Sequence, residues 1–221
     1  MIRPLPGWLL VVTDRHQAPA PLPDMAEALL GAGARWIWLR DRDLPPDERR
    51  ALALDLAARV ARHGAVLTIG ADVALAAACG AGVQLGAGDD VAAAQRRLGD
   101  AALVGVSAHG LDDLRGARDA GADYATLSPI FTSASKPGYG PALGLGALRE
   151  AAGLGLPVLA LGGVTAAAAR ACRDAGAYGV AVMGPAMRGG AAAIAALLAE
   201  DRSRASATRS VGRTCRGGVL P

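Results

Sequence analysis

A Gly-Ala pair followed by a short apolar run occurs four times in this chain, and this internal repeat constrains the fold more than any other feature. The pairs begin at Gly33, Gly80, Gly121 and Gly176, and each follows an Ala-rich stretch with helical character. Glycine after a helix favours the left-handed turn that ends it. The apolar runs that follow have the length of buried strands. The repeat therefore predicts a series of helix–turn–strand units.

Four further strand-like runs lie between the repeats, so that eight strands alternate with helical segments. These runs are Leu9–Thr13, Val66–Ile69, Leu103–Ser107 and Val158–Leu161. The clearest predicted helices are Asp24–Leu30, Pro46–Arg62, Val91–Leu98, Leu111–Ala120, Ala166–Ala175 and Ala191–Glu200. Eight such units in about 190 residues predict an α/β fold, a (β/α)8 TIM barrel near its lower size limit. An open doubly wound sheet is the alternative, but the first strand lacks its Gly-rich turn.

Composition supports a folded protein without a membrane partner. Apolar residues make up 52% of the chain and charged residues 19%, which excludes disorder for most of the length. No apolar run reaches the roughly 18 residues that a membrane span needs, and the start does not resemble a secretory leader. We therefore expect a cytoplasmic protein.

The net charge of +3 comes from the C-terminal end. Residues 202–221 carry five arginines and no acidic residue, which leaves residues 1–201 at −2. We predict a single barrel domain over 1–201 and a disordered basic tail over 202–221. The tail has no aromatic residue for base stacking, so no nucleic-acid partner is expected.

Polar residues and glycines follow the predicted strands at their carboxyl ends, where TIM barrels carry their active sites. The candidates are Arg40, Arg42, Gln84, Asp89, Ser107, His109, Gly162, Gly163, Met183 and Gly184. The glycines after the last two strands would let phosphate oxygens approach backbone N–H groups. Simple tight turns are the alternative interpretation of these glycines.

Four of the side chains have specific chemical uses. Arg40 and Arg42 could hold a pyrophosphate or a carboxylate between them. Lys136 is the only lysine among 23 cationic residues and lies in a Gly/Ser/Pro-rich loop, which suits an oxyanion clamp on a mobile lid. A surface lysine left by chance is the alternative. His109 could move a proton near neutral pH.

These residues, in this order, resemble the thiamine-phosphate synthase and thiazole tautomerase (TenI) family. The resemblance runs from about Leu9 to Met187. It is carried by VVTD (11–14), WLRDR (38–42), GVQLG (82–86), GVSAH (105–109), GADYATLSPIF (121–131), Lys136, LALGGV (159–164) and DAGAYGVAVM (174–183). It implies a cytoplasmic barrel enzyme of thiamine biosynthesis that binds a thiazole phosphate and is often a homodimer.

The synthase branch joins a pyrimidine pyrophosphate to the thiazole phosphate with the help of Mg²⁺. The resemblance implies Asn-Asp after the third strand and a further Asp after the fourth. This chain has Gly70-Ala71 at the first place and Asp89 at the second, so one metal carboxylate is missing. Asp72 is the nearest candidate replacement. In the loop after the sixth strand, Ser133 and Ser135 replace two threonines and keep their hydroxyls.

The tautomerase branch aromatises a thiazole carboxylate phosphate and needs an acid/base group, a phosphate site and no metal. Its pattern is matched by Arg40, Arg42, Gly70 and Gln84, and His109 aligns with its acid/base histidine. The sequence therefore predicts a TenI-like thiazole tautomerase without a metal.

Under this prediction His109, Arg40 and Lys136 are catalytic. The residues expected to bind the substrate and its phosphate are Arg42, Gln84, Ser107, Ser133, Ser135, Gly162, Gly163, Met183 and Gly184. Two alternatives stay open. One is a Mg²⁺-dependent thiamine-phosphate synthase with Asp89 as metal ligand. The other is a phosphate-binding regulatory paralogue without catalysis.

Overall fold

Eight parallel strands pair in chain order, and β8 closes onto β1 to form a barrel. The structure is a computed structural model that describes residues 3–132 and 141–214. The strands are β1 Leu9–Val12, β2 Trp36–Leu39, β3 Val66–Gly70, β4 Gly82–Gly86, β5 Val104–Ala108, β6 Tyr124–Leu127, β7 Val158–Leu161 and β8 Gly179–Val182. The predicted TIM barrel is confirmed, and the open-sheet alternative is wrong.

A helix follows every strand. The helices are α1 Leu22–Gly31, α2 Pro46–Arg62, α3 Val73–Cys79, α4 Val91–Leu98, α5 Leu111–Asp119, α6 Gly144–Ala152, α7 Ala166–Asp174 and α8 Gly184–Thr214. The glycines of the four Gly-Ala pairs all have positive φ, as the repeat predicts. Within the described part of the chain, none of the helices combines the length and apolar character needed to cross a membrane.

Two helix boundaries differ from the prediction. Helix α1 begins at Leu22, two residues before the predicted start at Asp24, which lies in its first turn. Helix α8 has a break at Gly190 and then continues to Thr214, past residue 202 where a disordered tail was expected to begin. Residues 201–210 contain neither Gly nor Pro, which permits a helical backbone there. Residues 215–221 lie outside the described residues.

The alternation of side chains along each strand builds two separate cores. Outward-facing residues, such as Val11, Ile37 and Val83, pack against the helices in one large cluster. Inward-facing residues fill the barrel in a smaller cluster, whose members are Leu10, Val12, Trp36, Trp38, Leu103, Tyr124, Leu159 and Ala181. The inward positions nearer the carboxyl ends of β3 to β6 are polar or glycine instead. The barrel therefore has an apolar floor beneath a polar mouth.

Two aromatic rings dominate that floor. Trp36 and Tyr124 are fully buried and meet edge to face, with ring centroids 4.6 Å apart. Gly105 makes room for them, because a Cβ at this position would lie 2.6 Å from both Tyr124 Cε1 and Gln84 Oε1. Trp36 Nε1 donates to Thr68 Oγ1 at 2.9 Å, so its polar atom is satisfied inside the barrel. Burial raises the pKa of the Tyr124 hydroxyl, which keeps that group neutral.

Gly105→Ala is expected to lower the free energy of unfolding by about 1–3 kcal/mol, because the added methyl overpacks the floor. Gly116→Ala is the matched control: it lies inside α5 with no atom in the way of a Cβ, so it should raise stability by about 0.5–1 kcal/mol. Urea denaturation measures both. Equal midpoints for the two variants would contradict this account of the floor.

Candidate active site

The mouth of the barrel carries several buried polar atoms. Gln84 is 1% exposed, and its Nε2 donates to Ser107 Oγ at 3.1 Å and to Thr126 Oγ1 at 3.4 Å. Within the described residues, Gln84 Oε1, Trp38 Nε1 and Arg40 Nε are buried and have no hydrogen-bond partner. Because buried polar groups nearly always have partners, these atoms are suited to a polar substrate. Gln84 and Ser107 thus lie together, as predicted.

Arg40 is held at the mouth by the loop after β1. Its NH2 lies 3.4 Å from Asp14 Oδ2, and its backbone N–H donates to Thr13 Oγ1 at 3.0 Å. The Thr13 hydroxyl in turn donates to Asp41 Oδ2 at 2.5 Å. These bonds join the ends of β1 and β2 and fix the backbone from which Arg40 projects.

Arg42 lies beyond this network. It is exposed, and no ion pair to it is found among the described residues. Nearby, the side chains of Arg15 and His16 bind Asp43 at 2.5 and 2.8 Å and hold the pKa of its carboxyl well below the usual range. Joint binding of one anion by Arg40 and Arg42 stays a prediction.

The end of β3 explains why Gly stands at residue 70, where the resemblance implies Asn, but not why Ala stands at residue 71. A Cβ at Gly70 would lie 3.0 Å from Trp38 Nε1 and 3.2 Å from the Leu39 carbonyl oxygen, so a larger side chain would displace Trp38. Ala71 has a φ of 53°, in the left-handed region where Asn and Asp are favoured over Ala. Residue 70 is therefore constrained by packing, whereas residue 71 could carry a carboxylate.

Arg49 holds the backbone together at this end of β3. It lies inside α2, and no motif in the sequence identifies it as a residue of the site. It is 8% exposed. Its guanidinium donates to the Asp41 carbonyl at 3.1 Å, to the Gly70 carbonyl at 2.7 Å and to Asp72 Oδ2 at 3.1 Å. A single buried cation thus ties the ends of β2 and β3 to α3.

Asp72 does not replace the missing metal carboxylate, because both of its oxygens are engaged. Oδ1 accepts the N–H of Leu75 and caps α3, while Oδ2 binds Arg49. Asp89 is exposed, and its Oδ2 accepts the N–H of Gly86 at 2.7 Å. No cluster of three His, Cys, Asp or Glu side chains occurs among the described residues. They therefore do not fit the two-carboxylate magnesium site that the synthase branch implies.

His109 is exposed at the mouth, two residues beyond Ser107 on the inward side of β5. Its Nδ1 lies 3.0 Å from the Ser128 carbonyl oxygen. Because a carbonyl only accepts, Nδ1 carries the proton in this contact. Its backbone N–H donates to Asp113 Oδ2 at 2.8 Å. The contact with the Ser128 carbonyl therefore orients the imidazole ring at the mouth of the barrel.

A cavity of about 250 Å³ lies at the ends of β7 and β8. Gly162, Gly163, Met183 and Gly184 all line it, so the structure brings these predicted residues together. The first two glycines are also required by packing: a Cβ would lie 2.9 Å from Pro129 Cα at residue 162, and 2.8 Å from Phe131 Cβ at residue 163. The tight-turn and phosphate-binding interpretations are therefore compatible. Ser133, Ser135 and Lys136 lie outside the described residues.

Arg49→Met is expected to lower the free energy of unfolding by about 2–3 kcal/mol, because two carbonyls and Asp72 lose a charged donor. Arg49→Lys should restore only part of this, since an ammonium cannot reproduce the planar fork. The exposed neighbour Arg50 provides the control, and Arg50→Met should change stability by about 0.5 kcal/mol or less. Equal losses of unfolding free energy for Arg49→Met and Arg50→Met, measured by thermal or urea unfolding, would contradict the role of Arg49.

Similar proteins agree with this geometry. The chain matches the family described as thiamine monophosphate synthase (TMP-TENI) over residues 9–185. It is 38% identical over 179 residues to the thiamine-phosphate synthase of Chromobacterium violaceum, covering 80% of this chain and 86% of that one. It is 41% identical over 164 residues to a thiamine biosynthesis bifunctional protein of Symbiobacterium thermophilum, covering 73% of this chain but 34% of that longer protein.

A solved structure extends the likeness to three dimensions. The thiamine phosphate pyrophosphorylase of Pyrococcus furiosus superposes with a TM-score of 0.78 at 26% identity, covering 88% of this chain and 95% of that one. The match therefore covers most of both chains. On the family match and the full-length relatives together, this chain belongs to the thiamine monophosphate synthase family.

Proposed function

We propose that this protein is a thiamine-phosphate synthase, which joins a pyrimidine pyrophosphate to a thiazole phosphate and releases pyrophosphate. Relatives that carry this name along about four-fifths of the chain support the proposal over the predicted tautomerase. The observation that supports it most directly is that the mouth of the barrel has a surface suited to an anion on each of two sides. Arg40 lies on one side of the β1 loop and the glycine-lined cavity on the other.

Each side suits one of the two anionic substrates. The cavity at β7 and β8 would hold the thiazole phosphate through backbone N–H groups that a glycine wall leaves accessible. Arg40 would balance the charge of the pyrophosphate as it leaves. Between them, Gln84 and Trp38 offer an unpartnered acceptor and donor to the polar edge of a heteroaromatic ring. The apolar floor would keep water from the reacting carbon.

One observation favours thiazole tautomerisation as a second candidate. The edge of β3 presents no carboxylate at residues 70 and 71, and Asp72 is held by α3 and Arg49. Tautomerisation needs a proton acceptor and an anion site but no metal. The oriented imidazole of His109 would supply the first, and the cavity with Arg40 would supply the second.

Thiamine phosphate is expected to form when the protein is given both substrates and Mg²⁺, as measured by chromatography. Ala71→Asp adds the second carboxylate at a backbone position that suits it, so it should lower the Mg²⁺ concentration for half-maximal rate by about tenfold. Ala71→Asn fits the same φ without charge and is the control. If neither wild type nor Ala71→Asp forms product while thiazole phosphate still binds, the synthase proposal is overturned.

If the protein is instead a tautomerase, wild type should aromatise the thiazole carboxylate phosphate, and His109→Gln should slow this about 10²–10⁴-fold. Thiazole phosphate binding should be unchanged, since the substitution leaves the cavity intact. His63→Gln is the control, because His63 pairs with Glu27 on the outer surface of the barrel. Unimpaired turnover by His109→Gln would rule out this candidate. Phosphate binding by wild type without either turnover would instead identify the regulatory paralogue.

A further inference from the structure

Arg188 is a cation at the glycine-lined cavity, and no pattern in the sequence singles it out. It lies in the first turns of α8, is exposed and lines the cavity beside Gly184. A Cβ at Gly184 would lie 2.7 Å from Arg188 NH2, so the guanidinium covers that glycine closely. Residue 184 must therefore be small for Arg188 to occupy this place.

The charge of Arg188 is not balanced by the described residues. No carboxylate oxygen among them lies within 4.0 Å of its guanidinium nitrogens. Arg115 and Arg118, by contrast, pair with Asp112 at 2.6 Å and with Asp119 at 2.8 Å. Exposed Arg42 shares the lack of an ion pair among the described residues but does not line the cavity, so it is the combination of free charge and cavity that distinguishes Arg188. A guanidinium fork beside a concave, glycine-walled cavity matches the geometry of a phosphate group.

Arg188 is held in place by a neutral acceptor. Its NH1 donates to Gln17 Oε1. Gln17 Nε2 donates to Asp14 Oδ2 at 2.7 Å, and Asp14 also contacts Arg40. Because Gln17 accepts with an amide oxygen, it orients the guanidinium while leaving its charge available. The β1 loop therefore links the two cations on either side of it.

We propose that Arg188 binds the phosphate of the substrate and makes the site select a phosphomonoester over the corresponding alcohol, with Gln17 as its positioning residue. The choice of a thiazole phosphate as that phosphomonoester rests on the proposed function. The preference of the site for a phosphate dianion does not rest on the proposed function, because it follows from the unbalanced charge of Arg188 and from the glycine-walled cavity beside it. Arg188 thus supplies the side-chain charge that backbone N–H groups alone would not.

Calorimetric titration of the whole protein tests this with three probes: inorganic phosphate, thiazole phosphate and the unphosphorylated thiazole alcohol. Arg188→Gln is expected to weaken binding of both phosphates by about 10–100-fold, and to change binding of the alcohol by less than about twofold. Arg188→Lys should lie between, because it keeps the charge and loses the fork. Arg115→Gln, on the far side of α5, is the matched control and should change nothing.

Gln17→Ala should weaken phosphate binding about threefold in wild type and have no effect in the Arg188→Gln background, because it acts through Arg188. Equal phosphate affinity in wild type and Arg188→Gln overturns the inference, as does a parallel loss for the alcohol. Failure to bind inorganic phosphate and thiazole phosphate at all also overturns it. If phosphate binding depends on Arg188 but no thiamine phosphate forms, the inference about Arg188 is supported and the synthase proposal is overturned.

Discussion

The edge-to-face pair of Trp36 and Tyr124 is the contact on which the rest of the barrel depends. Aromatic residues make up only 3% of the chain, yet these two fill the centre of the barrel with Trp38 above them. A small barrel closes around them only because the neighbouring strands offer glycine, above all Gly105. This packing divides the interior into an apolar floor and a polar mouth, and it leaves chemistry only at the carboxyl ends of the strands.

On one side of the mouth, the backbone segments that follow β1, β2 and β3 are held together by hydrogen bonds to charged side chains. Asp41 accepts the Thr13 hydroxyl and the Arg15 N–H, and Arg49 binds the carbonyls that end β2 and β3. A buried guanidinium is costly unless all its donors find acceptors, and here two carbonyls and a carboxylate provide them. The cost of this arrangement to function is that Asp72, bound by Arg49, is unavailable to a metal. The metal carboxylate that the resemblance implies at this edge is missing because residue 71 is Ala, and the engagement of Asp72 leaves no neighbouring carboxylate to take its place.

The sequence predicts the barrel well because the fold repeats locally. Each of the four Gly-Ala pairs marks a helix end and a strand start, and together with the four further strand-like runs they give eight units, which leave few topologies. Residues that follow strands, such as His109 and Gln84, are found by the same logic, since strand ends converge in a barrel. Arg49, Gln17 and Arg188 are missed because they act across the fold. Arg188 and Gln17 are 171 residues apart in the chain, and no local pattern connects them.

The residues at which this chain departs from the synthase pattern lie at one edge of the barrel, and their position suggests how the synthase and tautomerase reactions of the family are related. Both reactions need a site for the phosphate of a thiazole, and we propose the cavity at β7 and β8, with Arg188 beside it, as that site. The differences cluster elsewhere, at the edge of β3, where Gly70 is dictated by the Trp38 indole and Ala71 occupies a left-handed backbone position. A change at residue 71 alters the charge presented to a second substrate without disturbing the first. One barrel can therefore move between joining two substrates and rearranging one by changes at a single edge, because phosphate binding and the β3 edge are built from separate residues.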